Sequence, residues 1–269
     1  TRVRRIDYYA DNALHAGVGD ARARMRLAML DRVMTQLQTW HSHILNVTDL
    51  DPTGHSRAAA IWLMAGRCLG LLKALLAQVE AGIVNEAMVT ARCIHEANRL
   101  LFVFNDPDEE ELLRLWLADE GKHAYPKAGQ TREAHSRFEA KLNAAIESAG
   151  LSAPGYTGDL SAELYDQLSR SAHNRRSACL DNYYASARTF AYGRHPSPFR
   201  RAYYADWATG IALEVVNAVG DGLSAFYGRS FFVEEIAPIV AYINAIRERV
   251  PTDETSIRAV HDPRFRVAS

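Results

Sequence analysis

Residues 56–104 read SRAAAIWLMAGRCLGLLKALLAQVEAGIVNEAMVTARCIHEANRLLFVF, and this stretch decides the fold. Ile61, Met64, Cys68, Leu71, Leu72, Leu75, Leu76 and Val79 recur at the spacing of one helical face. Gly82 follows as a C-terminal stop, because glycine enters the left-handed backbone region without a Cβ penalty. A second apolar-periodic run starts almost at once, near Asn85, and continues to Phe104. A connection that short turns the chain back on itself, so the pair is predicted to be a helical hairpin.

The same pattern extends both ways. Upstream, Asp20 is placed to cap a helix running to about Val47, with Met25, Leu27, Leu30, Val33, Met34, Leu37, Trp40 and Ile44 at helical intervals. A basic, aromatic arm over residues 2–16 precedes a break at Gly17–Gly19, and Asp51-Pro52-Thr53-Gly54 makes a turn. Downstream, Asp106-Pro107-Asp108-Glu109 combines an N-cap acid, proline at the first helical position and an acid two residues on. It opens an acidic helix to about His123, followed by a break at Pro126–Gly129 and a polar helix carrying Phe138, Leu142 and Ile146. Residues 150–158 are the one candidate interior linker. Helical patterning resumes near Asp159, extends through Tyr184 and breaks at His195-Pro196-Ser197-Pro198. It returns as a long apolar helix from about Phe199 to Tyr227 and a last one from about Val233 to Val250.

No run alternates with period two, so the fold is predicted to be all-α, a multi-helix bundle built from antiparallel hairpins. Three parts are expected: an N-terminal helical arm (1–54), a core bundle (55–230), and a C-terminal helix with its tail (231–269).

At 269 residues and 48% hydrophobic, the chain can bury a substantial core. A net charge of −1 supplies no global attraction to nucleic acid or membrane, so an electrostatic partner must be met by a local patch. Two such patches exist. Between Arg170 and Arg201 seven arginines face one acid, Asp181, whereas between Asp106 and Glu120 seven acids face one base, Arg114. The bases overall are 27 Arg and 4 Lys, a bias that suits bidentate contacts to anions. Cys68, Cys93 and Cys179 lie far apart without a C-x-x-C, which argues against a disulfide framework or zinc module and favours a cytoplasmic location. The most apolar windows are interrupted by Arg67 and Lys73, by Glu80, or by Asp206, Glu214 and Asp221, so no membrane partner is expected.

Two constellations could carry chemistry. Arg92, Glu96 and Arg99 share one stripe of an otherwise apolar helix, where buried charges must satisfy one another or groups on a neighbouring helix. They are read either as a salt-bridge ladder fixing register or as part of a polar pocket. His95 points about 100° away from Glu96 and stands apart from the group. Ser169, His173 and Arg176 form the second line, with Tyr165 one turn earlier. A helix holds serine and histidine side by side without an oxyanion hole or orienting acid, so a hydrolase triad is not indicated. Candidate catalytic groups are His173, Ser169 and Glu96; packing and core roles are the alternative.

Arg92-x-x-x-Glu96, followed by Tyr165-x-x-Leu168-Ser169-x-x-x-His173, resembles an uncharacterised bacterial all-helical family that shares these two short motifs, over residues 55–230. That family is similar, more remotely, to the HEPN superfamily of helical bundles, many of them dimeric, metal-independent ribonucleases of defence systems. The resemblance implies a homo-oligomer and an RNA or nucleotide ligand. The HEPN signature itself, an arginine followed at a short helical interval by histidine, is not reproduced: Arg170 lies too close to His173, and the pair Arg188 and His195 ends in a proline-rich loop.

No cofactor or metal is expected. Gly-rich phosphate loops are absent, and Glu120-x-x-His123 lacks the second copy that a di-iron bundle requires. His41 and His43, two apart, face different sides of a helix. The segment 188–204 interleaves Arg188, Arg194, Arg200 and Arg201 with Phe190, Tyr192, Phe199, Tyr203 and Tyr204, the mixture that grips single-stranded nucleic acid or a nucleotide. Subunit interfaces favour the same residues. The leading expectation is therefore an RNA- or nucleotide-binding protein using Arg92, Glu96, Ser169, His173, Arg176, Arg188, Arg200 and Arg201, with a homo-oligomeric scaffold and a metal-independent ribonuclease as alternatives.

Overall fold

The computed structural model describes residues 13–118, 130–131, 133–137, 140–141, 144, 183–184, 189–190 and 198–249. The elements are α1 (Ala13–Val47), α2 (Arg57–Ala81), α3 (Val84–Asn105), a 3₁₀ turn (Pro107–Glu109) and α4 (Glu110–Ala118). After helical residues at 130–131, 133–137, 140–141 and 144 come the two-residue strands β1 (Tyr183–Tyr184) and β2 (Thr189–Phe190). The chain closes with α5 (Pro198–Tyr227), α6 (Arg229–Phe231), a π-helical turn (Phe232–Ile236) and α7 (Ala237–Arg249). The protein is an all-α bundle.

The predicted hairpin is present, with its caps. Ser56 is extended (φ −116°, ψ 155°) and its Oγ accepts from the Ala59 amide at 3.1 Å, which satisfies one of the orphan donors at the start of α2. Gly82 sits at φ 76° and donates its amide to the Val79 carbonyl at 3.0 Å. At the far end of α3, Arg57 donates to the Phe104 carbonyl at 2.5 Å and the Asp106 carbonyl at 2.8 Å, and pairs with Glu110. One guanidinium therefore closes the C-terminus of α3, where carbonyl partial charge favours a cation, and ties α4 to the start of α2. Asp106 is the predicted cap: its Oδ1 accepts from the Asp108 amide at 3.0 Å.

α2 and α5 each pack against α1 and α3 and against one another, so the two form the middle of the bundle. Among the described residues α2 is the one helix long and apolar enough to cross a membrane by length and composition. In the bundle Leu72, Leu75 and Cys68 are fully buried and join one cluster with Leu37 and Ile44 of α1, Ile94 and Leu101 of α3, and Val215 and Leu223 of α5. From Ala23 to Ile44, the buried apolar side chains of α1 belong to this same cluster.

α5 runs parallel to α3. His95 meets Glu214 and Asn105 meets Asp221, so both partners advance in the same direction. Two glycines let α5 approach its neighbours: a Cβ on Gly220 would lie 2.5 Å from Ile236 Cγ2, and one on Gly222 would lie 3.1 Å from Leu101 Cδ1 and 3.2 Å from Ile61 Cγ2.

Three expectations are corrected. α1 continues through Gly17 and Gly19, because glycine lowers helix propensity by about 1 kcal/mol per residue without removing a hydrogen bond. Tyr183 and Tyr184 do not extend a helix; they pair antiparallel with Phe190 and Thr189, aromatic and β-branched residues that suit a pleated ladder. After Gly228, which stands at φ 92°, the chain re-enters helix as α6 and passes through a π-helical turn into α7, so the last helical stretch starts before Val233. The expected breaks and linker at 126–129 and 150–158, and the distal part of the acidic helix, lie outside the described residues.

Gly220→Ala tests the packing of α5. Alanine should gain about 1 kcal/mol of helix propensity and lose more, about 1–3 kcal/mol, to overpacking against Ile236. Urea denaturation should show net destabilisation in the native background and none with Ile236→Ala, a coupling that a double-mutant cycle isolates.

Candidate functional site

α3 carries an unusual number of polar residues for a buried helix. Arg92, His95, Asn98, Arg99, Phe102 and Asn105 recur every three or four positions, so they share one half of its surface. The matching stripe on α5 is Trp207, Gly210, Glu214, Asn217 and Asp221, every one of them partly exposed. The two stripes meet as a polar seam.

At its centre, His95 Nδ1 lies 3.3 Å from Glu214 Oε2, with side-chain exposures of 4% and 16%. A carboxylate so placed orients the imidazole. Further along, Asn105 Nδ2 donates to Asp221 Oδ2 at 2.6 Å. Burial pushes the Asp221 carboxyl up, and the Asn105 amide only partly offsets this. Asn98 lies between the two rungs, 3% exposed, and neither atom of its amide has a hydrogen-bond partner. An unmet buried amide costs about 1–3 kcal/mol.

The segment at 130–137 lies against the same half of α3. His135 packs on Phe102 with ring centroids 5.4 Å apart. Its imidazole is pushed down to about 4, first by burial and then by the charges of buried Arg99 and of His95. The seam thus holds an arginine, a carboxylate-paired histidine and a second histidine kept neutral at neutral pH, a set able to bind an anion or exchange a proton.

Of the predicted residues, the structure joins Arg92 and Glu96, with Arg92 Nε 3.1 Å from Glu96 Oε1 and exposures of 20% and 45%. The expected partial burial of this line holds, and Arg99 lies deeper than either. Ser169, His173, Arg176 and Arg188 lie outside the described residues, as does Glu120-x-x-His123. Arg200 and Arg201 fall in the first turn of α5. Sequence reading passed over His95, Asn98, His135 and Glu214. The signal was there for two of them: Glu214 interrupts an apolar helix, and the 100° offset of His95 from Glu96 aims it at another partner.

The acidic block also finds its partners inside the chain. Arg137 meets Glu109 at 2.7 Å, and Lys141 bridges Asp106 and Asp108 at 2.8 and 2.7 Å. Burial works to raise the Asp106 carboxyl and is outweighed by Lys141 and the Asp108 amide, which hold it below the usual range. With Glu110 on Arg57, four carboxylates are met by three cations.

Elsewhere, His41 stacks on Trp62 at 4.6 Å and Nε2 bonds the Trp62 carbonyl at 2.9 Å, while the Trp62 indole donates to the His41 carbonyl at 3.1 Å. Burial lowers the His41 imidazole, with that carbonyl acting the other way. A groove of about 540 Å³ on the outer side of α1 is lined by residues such as Thr35, Gln38, Thr39, Ser42 and Asn46, without formal charge. Among the described residues, no group of three or more His, Cys, Asp or Glu could hold a metal ion. Compared with known proteins, the chain matches no family model, no curated protein and no solved structure.

Because His135 and His41 both titrate lower folded than unfolded, the unfolded chain takes up protons first as pH falls. Their contribution is fully present above about pH 6.5 and is lost as pH drops towards 4, amounting to about 3 kcal/mol for His135. Urea midpoints measured from pH 7 to pH 4 should fall steeply, and His135→Phe should flatten that fall; an unchanged slope in the variant would assign the acid sensitivity elsewhere.

Proposed function

We propose that this chain is a cytoplasmic, homo-oligomeric helical protein of HEPN-like type that binds RNA or a nucleotide through its arginine- and tyrosine-rich segment, residues 170–204. One observation supports the reading: four of the seven acids in the block that could have neutralised those arginines are already engaged within the chain. Asp106, Asp108, Glu109 and Glu110 are held by Lys141, Arg137 and Arg57, so they do not supply the counter-charge for the basic segment. A scaffold built by pairing acidic and basic segments between subunits would have to break these bonds first.

The position of Arg200 and Arg201 supports the same reading. The first turn of α5 contains two arginines and no acid, at a helix end whose free amides favour an anion. On this reading Arg92, Glu96, Ser169, His173, Arg176 and Arg188 take part in binding together with Arg200 and Arg201.

The test is Arg200→Glu with Arg201→Glu. Retention on immobilised single-stranded RNA at low salt should vanish while helix content and sedimentation stay as in the native protein, and the milder double alanine variant should reduce the salt slope of binding by about 2. Dissociation of the oligomer with RNA retention intact would replace this reading by the scaffold.

A further inference from the structure

The outer face of α1 carries a stripe built for a second helix. Thr35, Thr39, Ser42 and Asn46 follow one another at steps of four, three and four residues, the period by which one helix lies along another. All four are exposed, and from residue 33 to residue 47 the helix contains no Asp, Glu, Lys or Arg. Depletion of charge marks the centre of a protein interface, whereas an ordinary exposed helix face carries charge freely. The groove of about 540 Å³ runs along this same stripe, bordered also by Gln38, Trp40 and His43.

Charge returns at the two ends of the stripe, with opposite sign. Arg32 lies one turn before Thr35 on the same face, and Asp49 follows just after the helix ends at Val47. Both are exposed, and neither makes an ion pair among the described residues. A second α1 laid antiparallel over the groove sets Thr35 against the partner's Asn46, Gln38 against the partner's His43 and Thr39 against the partner's Ser42. That same register sets Arg32 against the partner's Asp49, and two-fold symmetry repeats the pair at the other end. A parallel pair would instead set like charges together. Hydrogen-bond polarity agrees with the antiparallel register. Thr35 and Thr39 donate their hydroxyl protons to the Asp31 and Thr35 carbonyls, both at 2.9 Å, so their oxygens are left as acceptors. Asn46 and Ser42, the residues set against them, bring an amide and a hydroxyl donor.

We propose that α1 is a dimer interface, along which two copies of this chain pair antiparallel through Thr35, Thr39, Ser42 and Asn46, with Arg32 and Asp49 fixing the register. This rests on the homo-oligomeric part of the reading above and names its surface. A polar seam closed by two exposed ion pairs makes a dissociable dimer, with a dissociation constant on the order of micromolar, rather than an obligate one.

The experiment is sedimentation of the full chain across a concentration series, with two single variants and their mixture. Arg32→Asp and Asp49→Arg each set like charges together at both ends of the seam, so each should weaken the dimer at least about tenfold. Helix content should stay native, because both residues are exposed. Mixed in equal amounts, the two variants regain both opposite-charge pairs and should dimerise as the native chain does. Thr39→Arg, at the centre of the seam, should also dissociate the dimer. Single variants that remain dimeric, or a mixture that stays monomeric once the singles have dissociated, would overturn the proposal and leave an oligomer with its interface elsewhere. A native chain that is monomeric at every concentration would remove the proposal and the homo-oligomeric reading together, and RNA retention dependent on Arg200 and Arg201 would still stand on its own test.

Discussion

A carboxylate inside an apolar bundle is tolerated only where a donor meets it, and α5 brings two, Glu214 and Asp221, into the core seam. The donors are His95 and Asn105 on α3. Sliding α5 by one turn relative to α3 would part both pairs at once, so the polar rungs fix a register that the surrounding leucines and alanines would leave loose. The small residues do the complementary work: Gly220 and Gly222 let α5 sit against Ile236, Leu101 and Ile61, and that closeness holds the rungs within bonding distance. Packing and polar pairing therefore constrain the same degree of freedom.

Arg57 plays the corresponding part at the end of the hairpin. It is the first residue of α2, yet its guanidinium serves the last carbonyls of α3 and the first turn of α4. From there the ion pairs of Arg137 and Lys141 continue onto the 3₁₀ turn, so the acidic block is the seat on which the 130–141 segment docks. That docking brings His135 to Phe102 and closes one side of the seam. A charge pattern that looks like a solvated face in the sequence is in the fold a set of anchors.

Local structure was legible wherever one residue determines it. Gly82 and Asp106 each act through their own backbone or a neighbour within three residues, and both stand where the sequence puts them, whereas Asp20, read as a cap, lies inside α1. The apolar stripes of α2 and α5 were equally plain, because period alone identifies them. The site was legible only in part. Arg92 and Glu96 are a turn apart on one helix, and their pairing follows from spacing. His95 and Glu214 are separated by 119 positions, and nothing in either helix states the register that unites them. Tyr183 and Tyr184 were misread because helical periodicity in a short run carries no information about a partner strand. The π-turn at Phe232–Ile236 likewise depends on how the chain leaves Gly228 at positive φ.

The distribution of charge decides where in this bundle an anion can be held. Residues 33–47 of α1 contain no Asp, Glu, Lys or Arg, and the groove on that helix is lined by Trp40 and His43 and by hydroxyl and amide groups. Such groups hydrogen-bond water nearly as well as a phosphate, so they give an anion little reason to leave solvent. At the seam the balance differs. Arg92 and Arg99 stand on α3, with Arg92 paired to Glu96, and α5 begins with two more arginines. Low surroundings of apolar side chains strengthen each of those charges relative to water. The seam therefore joins fixed charge to apolar walls, which the groove on α1 does not.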